Sequence, residues 1–146
     1  MVSANSYDEL YDYNLHRLFL YWTEFHAKAM GYFFVRKYTF DDIRDQRQTD
    51  DIIQTELPFQ IDYMIKEVNA TNDADSQMYV VVHFLGRLAV WQYLFPETFN
   101  ERFIRDLTDD NPWMEELYYF LIKHDTLEKV LPAFDEMRSI LDKHFI

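Results

Sequence analysis

Apolar side chains recur every three or four positions through most of this chain, and that spacing predicts helices. Over residues 7–30, Tyr11, Leu15, Leu18, Trp22, Phe25 and Ala29 form one stripe, as expected of a long amphipathic helix with a single inward face. Arg17, Glu24 and Lys28 fall opposite it, with Glu24 and Lys28 in the favourable order for a surface ion pair. Gly31 is the expected end of this helix. The next segment, YFFVRKYTF (32–40), suits a short strand as well as a helix, because aromatic and β-branched residues fit a pleated surface.

Thr39 or Asp41 is placed to cap a short helix through DDIRDQRQ. Ile61, Met64, Ile65 and Val68 then mark a helical stripe, with Pro58 in its first turn, where a missing N–H costs nothing. NATNDADS (69–76) is a polar break carrying cap residues. The run MYVVVHFLGRLAVWQYLF (78–95) predicts a buried central helix stopped by Pro96. Its His83, Arg87 and Gln92 argue against a membrane span. Asn111 as cap and Pro112 at the first helical position begin another helix. A last one follows, with Leu127, Leu131, Phe134, Met137 and Leu141 inward and Pro132 as a kink or restart. The expected fold is all-α: a single acidic domain over residues 1–146, forming a bundle of about five to seven helices. The alternative is a minor two-stranded element pairing 32–38 with 78–84.

Composition supports helices with short connections, since the chain has only 2 glycines and 4 prolines. With no cysteine, disulfides, thiolate chemistry and cysteine-type metal sites are excluded. The segment MVSANSYDELYDYN lacks a basic stretch followed by an apolar run, so no secretory signal is read there and a cytoplasmic location is expected. The 13 Phe, 11 Tyr and 3 Trp exceed the needs of a core this small. Some are expected at the surface, where tyrosine and tryptophan often mark contact sites.

The net charge of −12 is concentrated in two segments. Residues 41–75 carry ten acids against Arg44, Arg47 and Lys66, and residues 97–128 carry nine against Arg102, Arg105 and Lys123. If both contribute to one face, they create a field that attracts basic partners and repels nucleic acid. The bland counterpart is an acidic surface that serves solubility.

FDDIRDQRQTDD (40–51) contains the spacing D-D-x-x-D at 41–45. This resembles the metal-binding aspartates of prenyl-chain and terpene synthases, where such a cluster holds Mg²⁺ and, through it, a diphosphate. Those enzymes need a second, facing acidic motif inside a much larger helical barrel, and this chain has neither, so no metal is expected. The same dozen residues look like a short acidic stretch of a phage antirestriction protein that mimics duplex DNA. Charge density limits that likeness. Six net charges along the 32 residues 97–128, if wholly helical, amount to about one per 8 Å. Duplex DNA carries one per about 1.7 Å. Local clusters can replace a few phosphates, but not a duplex.

Other chemistries find less support. No glycine-rich phosphate loop or nucleophile elbow is present. His124-Asp125, with His83 before and Asp135 or Asp142 after, resembles the ligand order of the all-helical HD-type metal phosphohydrolases. The plain alternative is a histidine ending one helix and Asp125 capping the next. Arg87 is the only charge in 76–96, and it is expected to reach Asp62 or Glu24. The functional alternative is an anion or ligand site inside the bundle, with an aromatic pocket under Arg87.

The expected function is that of a non-enzymatic protein that binds and inhibits or regulates a basic protein partner, of the kind presented by nucleic-acid-handling enzymes. A phage or mobile-element inhibitor and an immunity-type protein fit this profile. The expected contact residues are Asp41, Asp42, Asp45, Asp50, Asp51, Asp109, Asp110, Glu115 and Glu116. No catalytic residue, cofactor, direct nucleic-acid contact or membrane association is expected. An HD-like phosphohydrolase and a helical ligand-sensing regulator are the alternatives.

Overall fold

A computed structural model describes residues 13–39 and 46–145, and the protein is all-α, with no strand among them. The elements are α1 (Tyr13–Thr39), α2 (Gln46–Asp51), a π turn (Ile52–Glu56), α3 (Leu57–Ala70), α4 (Ala74–Leu94), α5 (Glu101–Leu107), α6 (Pro112–Lys123), α7 (Leu127–Val130), a 3₁₀ turn (Leu131–Ala133) and α8 (Phe134–Phe145). They divide into two compact units, named here for their place in the sequence. The terminal unit comprises residues 1–23 and 101–146, and the central unit comprises residues 24–100.

In the central unit, α1 runs on through Gly31 to Thr39, so the expected stop is absent and 32–38 is helix, not strand. Gly31 has no positive φ and nothing near the position a Cβ would take. Without a left-handed backbone, glycine costs a helix about 1 kcal/mol but does not end it. α4 is the buried helix its run predicts: Val82, Leu85, Leu88 and Trp91 are fully enclosed. Asp73 caps it, accepting from the Asp75 N–H at 3.3 Å and the Ser76 hydroxyl at 2.7 Å. The Gln77 amide donates to the carbonyls of Val68 and Thr71, satisfying the end of α3.

α2, the π turn and α3 form one uninterrupted helical run, so Pro58 does not open a helix as expected. Proline lacks the N–H for its own backbone bond, and its ring crowds the carbonyl four residues back. The run absorbs this by widening one turn before it, with Leu57 N–H bonded to Ile52 O. On α3, Ile61, Met64 and Val68 are half-buried, but Ile65 is 50% exposed, so the expected stripe is only partly covered.

In the terminal unit, Leu15, Leu18 and Tyr21 of α1 are buried, as are Leu117, Tyr118 and Leu121 of α6 and Phe134, Met137 and Leu141 of α8. α6 packs on α8 and α5. Trp22 Nε1 donates to the His124 carbonyl at 2.6 Å, fastening α1 to the end of α6. Pro112 opens α6 as expected, although the Asn111 side chain makes no capping bond. Pro132 sits in the 3₁₀ turn from which α8 restarts. The cap of α7 is Thr126, which accepts from the Lys129 N–H, not Asp125. Asp125 instead pairs with Lys129 Nζ at 2.9 Å. Among the described residues, no helix is long and apolar enough to cross a membrane.

Candidate functional site

The expected contact acids divide between the units. Asp41, Asp42 and Asp45 lie outside the described residues. Asp50 and Asp51 are exposed on α2 in the central unit. In the terminal unit, Asp109 and Asp110 are exposed in the turn between α5 and α6. Glu115, half-buried, lies 3.7 Å from Arg105, and Glu116 lies 2.5 Å from Lys143. Internal cations therefore already engage these last two carboxylates. By unit, the terminal residues carry fourteen acids against seven bases and the central residues twelve against seven.

Beside Asp51, the π turn presents Glu56 to the end of α1. Arg36, almost fully buried, donates from Nη1 to Glu56 Oε2 at 2.9 Å and to the Tyr32 hydroxyl at 3.1 Å, and from Nη2 to Gln48 Oε1 at 3.0 Å. The Tyr32 hydroxyl donates to Glu56 Oε1 at 2.9 Å and accepts from Trp91 Nε1 at 3.0 Å. Burial, then the Glu56 charge, pushes the Tyr32 phenol above its usual range, while Arg36 and the Arg36 and Trp91 hydrogen bonds oppose the shift. The sequence signal for this network is Tyr32 and Arg36 four residues apart, and it becomes visible only once α1 continues past Gly31.

One turn before Trp91 on α4, Arg87 does not reach Asp62 or Glu24. Glu24 accepts instead from His83 Nε2 at 2.8 Å. Arg87 lies over the Tyr32 ring, 5.8 Å from its centroid, and has no carboxylate in ion-pair range among the described residues. Lys28 likewise does not form the pair with Glu24 that its spacing suggests. Arg87, Lys28 and His83 line a cleft of about 260 Å³ together with Phe59, Tyr63, Met64 and Phe84. Burial lowers the proton affinity of the Lys28 ammonium, and the nearby Arg87 charge lowers it further. Burial also lowers that of Arg87, opposed by Tyr32, Glu56 and Tyr63. Phe59 and Tyr63 are 64% and 49% exposed.

The HD-type grouping is not assembled. His83 is engaged by Glu24 in the central unit. His124, in the terminal unit, donates from Nδ1 to the Phe120 carbonyl at 2.8 Å and stacks on the Phe120 ring. Among the described residues, no three histidine or carboxylate side chains gather closely enough to hold a metal ion. Compared with protein-family models, with curated proteins and with solved structures, the chain matches none, so its function has to be read from its own side chains.

Proposed function

We propose that this is a non-enzymatic cytoplasmic protein whose acidic, aromatic-bearing surface docks on a basic protein partner and inhibits or regulates it. The observation that carries the proposal is the exposed face of α3. Phe59 and Tyr63, one turn apart, stand there beside Asp62 and Glu67 at helical spacings of three and four, and all four are exposed. Aromatic anchors supply contact area at an interface, whereas surrounding acids select a partner of opposite charge and speed its arrival. Asp50 and Asp51 add to the negative charge of the same helical run. Enzymes that handle nucleic acid fit as partners, because their basic surfaces are built to receive phosphates. Inhibition of such an enzyme, as by a phage or mobile-element protein, is the setting this chemistry favours. The acids of the terminal unit, Asp109 and Asp110, are assigned to the same partner.

The test is capture from native lysate on immobilised protein, washed at stepped salt. Wild type is compared with a variant in which Asp50, Asp51, Asp109 and Asp110 are all replaced by lysine. Wild type is expected to retain a basic protein that the variant loses, with the difference greatest at low salt. Screening shortens the reach of surface charges from about 8 Å at physiological salt to about 3 Å at 1 M. Identical capture by both proteins would eliminate the proposal.

A further inference from the structure

The cleft in the central unit brings together two cations that have no carboxylate partner among the described residues. Lys28 comes from α1 and Arg87 from α4, and the backbones of these helices fix their proximity. A Cβ at Gly86 would lie 3.1 Å from Phe25 O, 3.2 Å from Ala29 N and 3.2 Å from Lys28 Cβ, so a larger residue there requires the two helices to give by a few tenths of an ångström. The acids nearest to hand are committed elsewhere, Glu24 to His83 and Glu56 to Arg36 and Tyr32. Two like charges held in a partly desolvated recess, with Glu56 acting on Arg87 only from beyond ion-pair range, favour an anion that joins them directly. The Tyr32 ring supports one face of Arg87, which helps to hold the guanidinium in place while its N–H donors have no acceptor among the described residues.

The remaining walls are apolar: Met64, Phe84, Val80 and the rings of Phe59 and Tyr63. Volume limits the ligand. A cavity of about 150 Å³ accommodates benzene, and drug-sized ligands occupy about 300 Å³ or more. At about 260 Å³, the cleft suits one ring with a charged head and is too small for a nucleotide.

We propose that the central unit binds a small aryl anion, its carboxylate or phosphate head between Lys28 and Arg87 and its ring against Met64, Phe84, Phe59 and Tyr63. This site shares the rings of Phe59 and Tyr63 with the docking face but goes beyond that role, since it needs neither the exposed acids nor a macromolecular partner.

Calorimetric titration of the full-length protein tests it, with benzoate and phenyl phosphate as ligands and benzylamine and inorganic phosphate as controls. At least one aryl anion is expected to bind saturably, with Kd of about 1 mM or tighter. Benzylamine is expected not to bind, and inorganic phosphate to bind at least about 10-fold more weakly, for want of the ring. Which head is preferred distinguishes a carboxylate from a phosphate ligand. R87Q and K28Q are each expected to weaken binding about 10-fold or more, the loss of one charge-assisted contact. Should R87Q fail to fold, K28Q and M64W decide, because Lys28 is only partly buried and M64W fills the recess while leaving both cations in place. Absence of saturable binding by both aryl anions overturns the proposal. Equal binding of benzylamine or inorganic phosphate, or undiminished binding by K28Q and M64W, does the same.

Discussion

The two units use their aromatic and charged residues differently. In the terminal unit, large rings go inward: Trp113, Tyr118, Phe120 and Phe134 are buried, and among the described residues Ile122 is its only large apolar side chain more than about a third exposed. Its exposed charges are often paired, as in Glu116 with Lys143 and Asp125 with Lys129. In the central unit, Met30, Phe34, Val35, Phe59, Tyr63 and Tyr93 are all substantially exposed, although Trp91 and Phe99 fill a well-packed interior. In its ion pair of Arg36 with Glu56 the arginine is hidden, and Lys28 and Arg87 have no carboxylate partner among the described residues. One unit therefore has the signature of residues kept for packing. The other maintains exposed rings and two cleft cations without a carboxylate partner among the described residues, which do little for stability and suit recognition.

The comparison is broken most forcefully by truncating one ring in each unit. Phe134→Ala, at a fully buried position, is expected to cost about 3–5 kcal/mol in urea unfolding, whereas Phe59→Ala should change stability by no more than about 0.5 kcal/mol. Similar losses at both positions would show that α3 is no freer than α8. A smaller effect is expected at the helix crossing that shapes the cleft. Gly86→Ala places a methyl against backbone atoms that cannot swing away, at an expected cost of about 1–3 kcal/mol. An unchanged melting temperature would mean that α1 and α4 separate easily and do not force Lys28 toward Arg87.

The smallest effect sharpens the packing side. Burial, together with Tyr119, pushes the Tyr118 phenol upward, so the folded protein holds that proton when the unfolded chain has released its own. Above about pH 10, the unfolded state binds fewer protons than the folded one, and stability falls as pH rises. Tyr118→Phe removes this contribution and should make the alkaline decline shallower. An identical slope in both proteins would show that Tyr118 ionises freely in the folded state.

Much of the fold was legible in the residues because burial follows helical spacing. Leu15, Leu18 and Phe25 mark the inner face of α1, and the largely apolar run of α4 announces a mostly buried helix. Pro112 and Pro132 restrict backbone geometry whatever surrounds them, and both act where their chemistry suggests. Gly31 misleads because glycine ends a helix only where the backbone turns left-handed, which no local pattern reveals. Thr126 and Asp125 are both competent caps, and tertiary structure chooses between them. The π turn escapes a periodicity argument altogether, since the pattern assumes 3.6 residues per turn, and Pro58 is its only advance sign. Glu56 and the Arg36 network depend on that turn and were therefore missed. For Arg87, the spacing suggested two acidic partners, but Glu24 was taken by His83, leaving the less expected ligand-site alternative.

That the central unit's exposed rings serve binding rather than folding is tested most directly by replacing Phe59 and Tyr63 together with serine, then measuring urea unfolding and lysate capture on the same preparation. The expected result is an unfolding free energy within about 0.5 kcal/mol of wild type and loss of the captured basic protein. A fall of about 2 kcal/mol or more in stability, with capture undiminished, would contradict it.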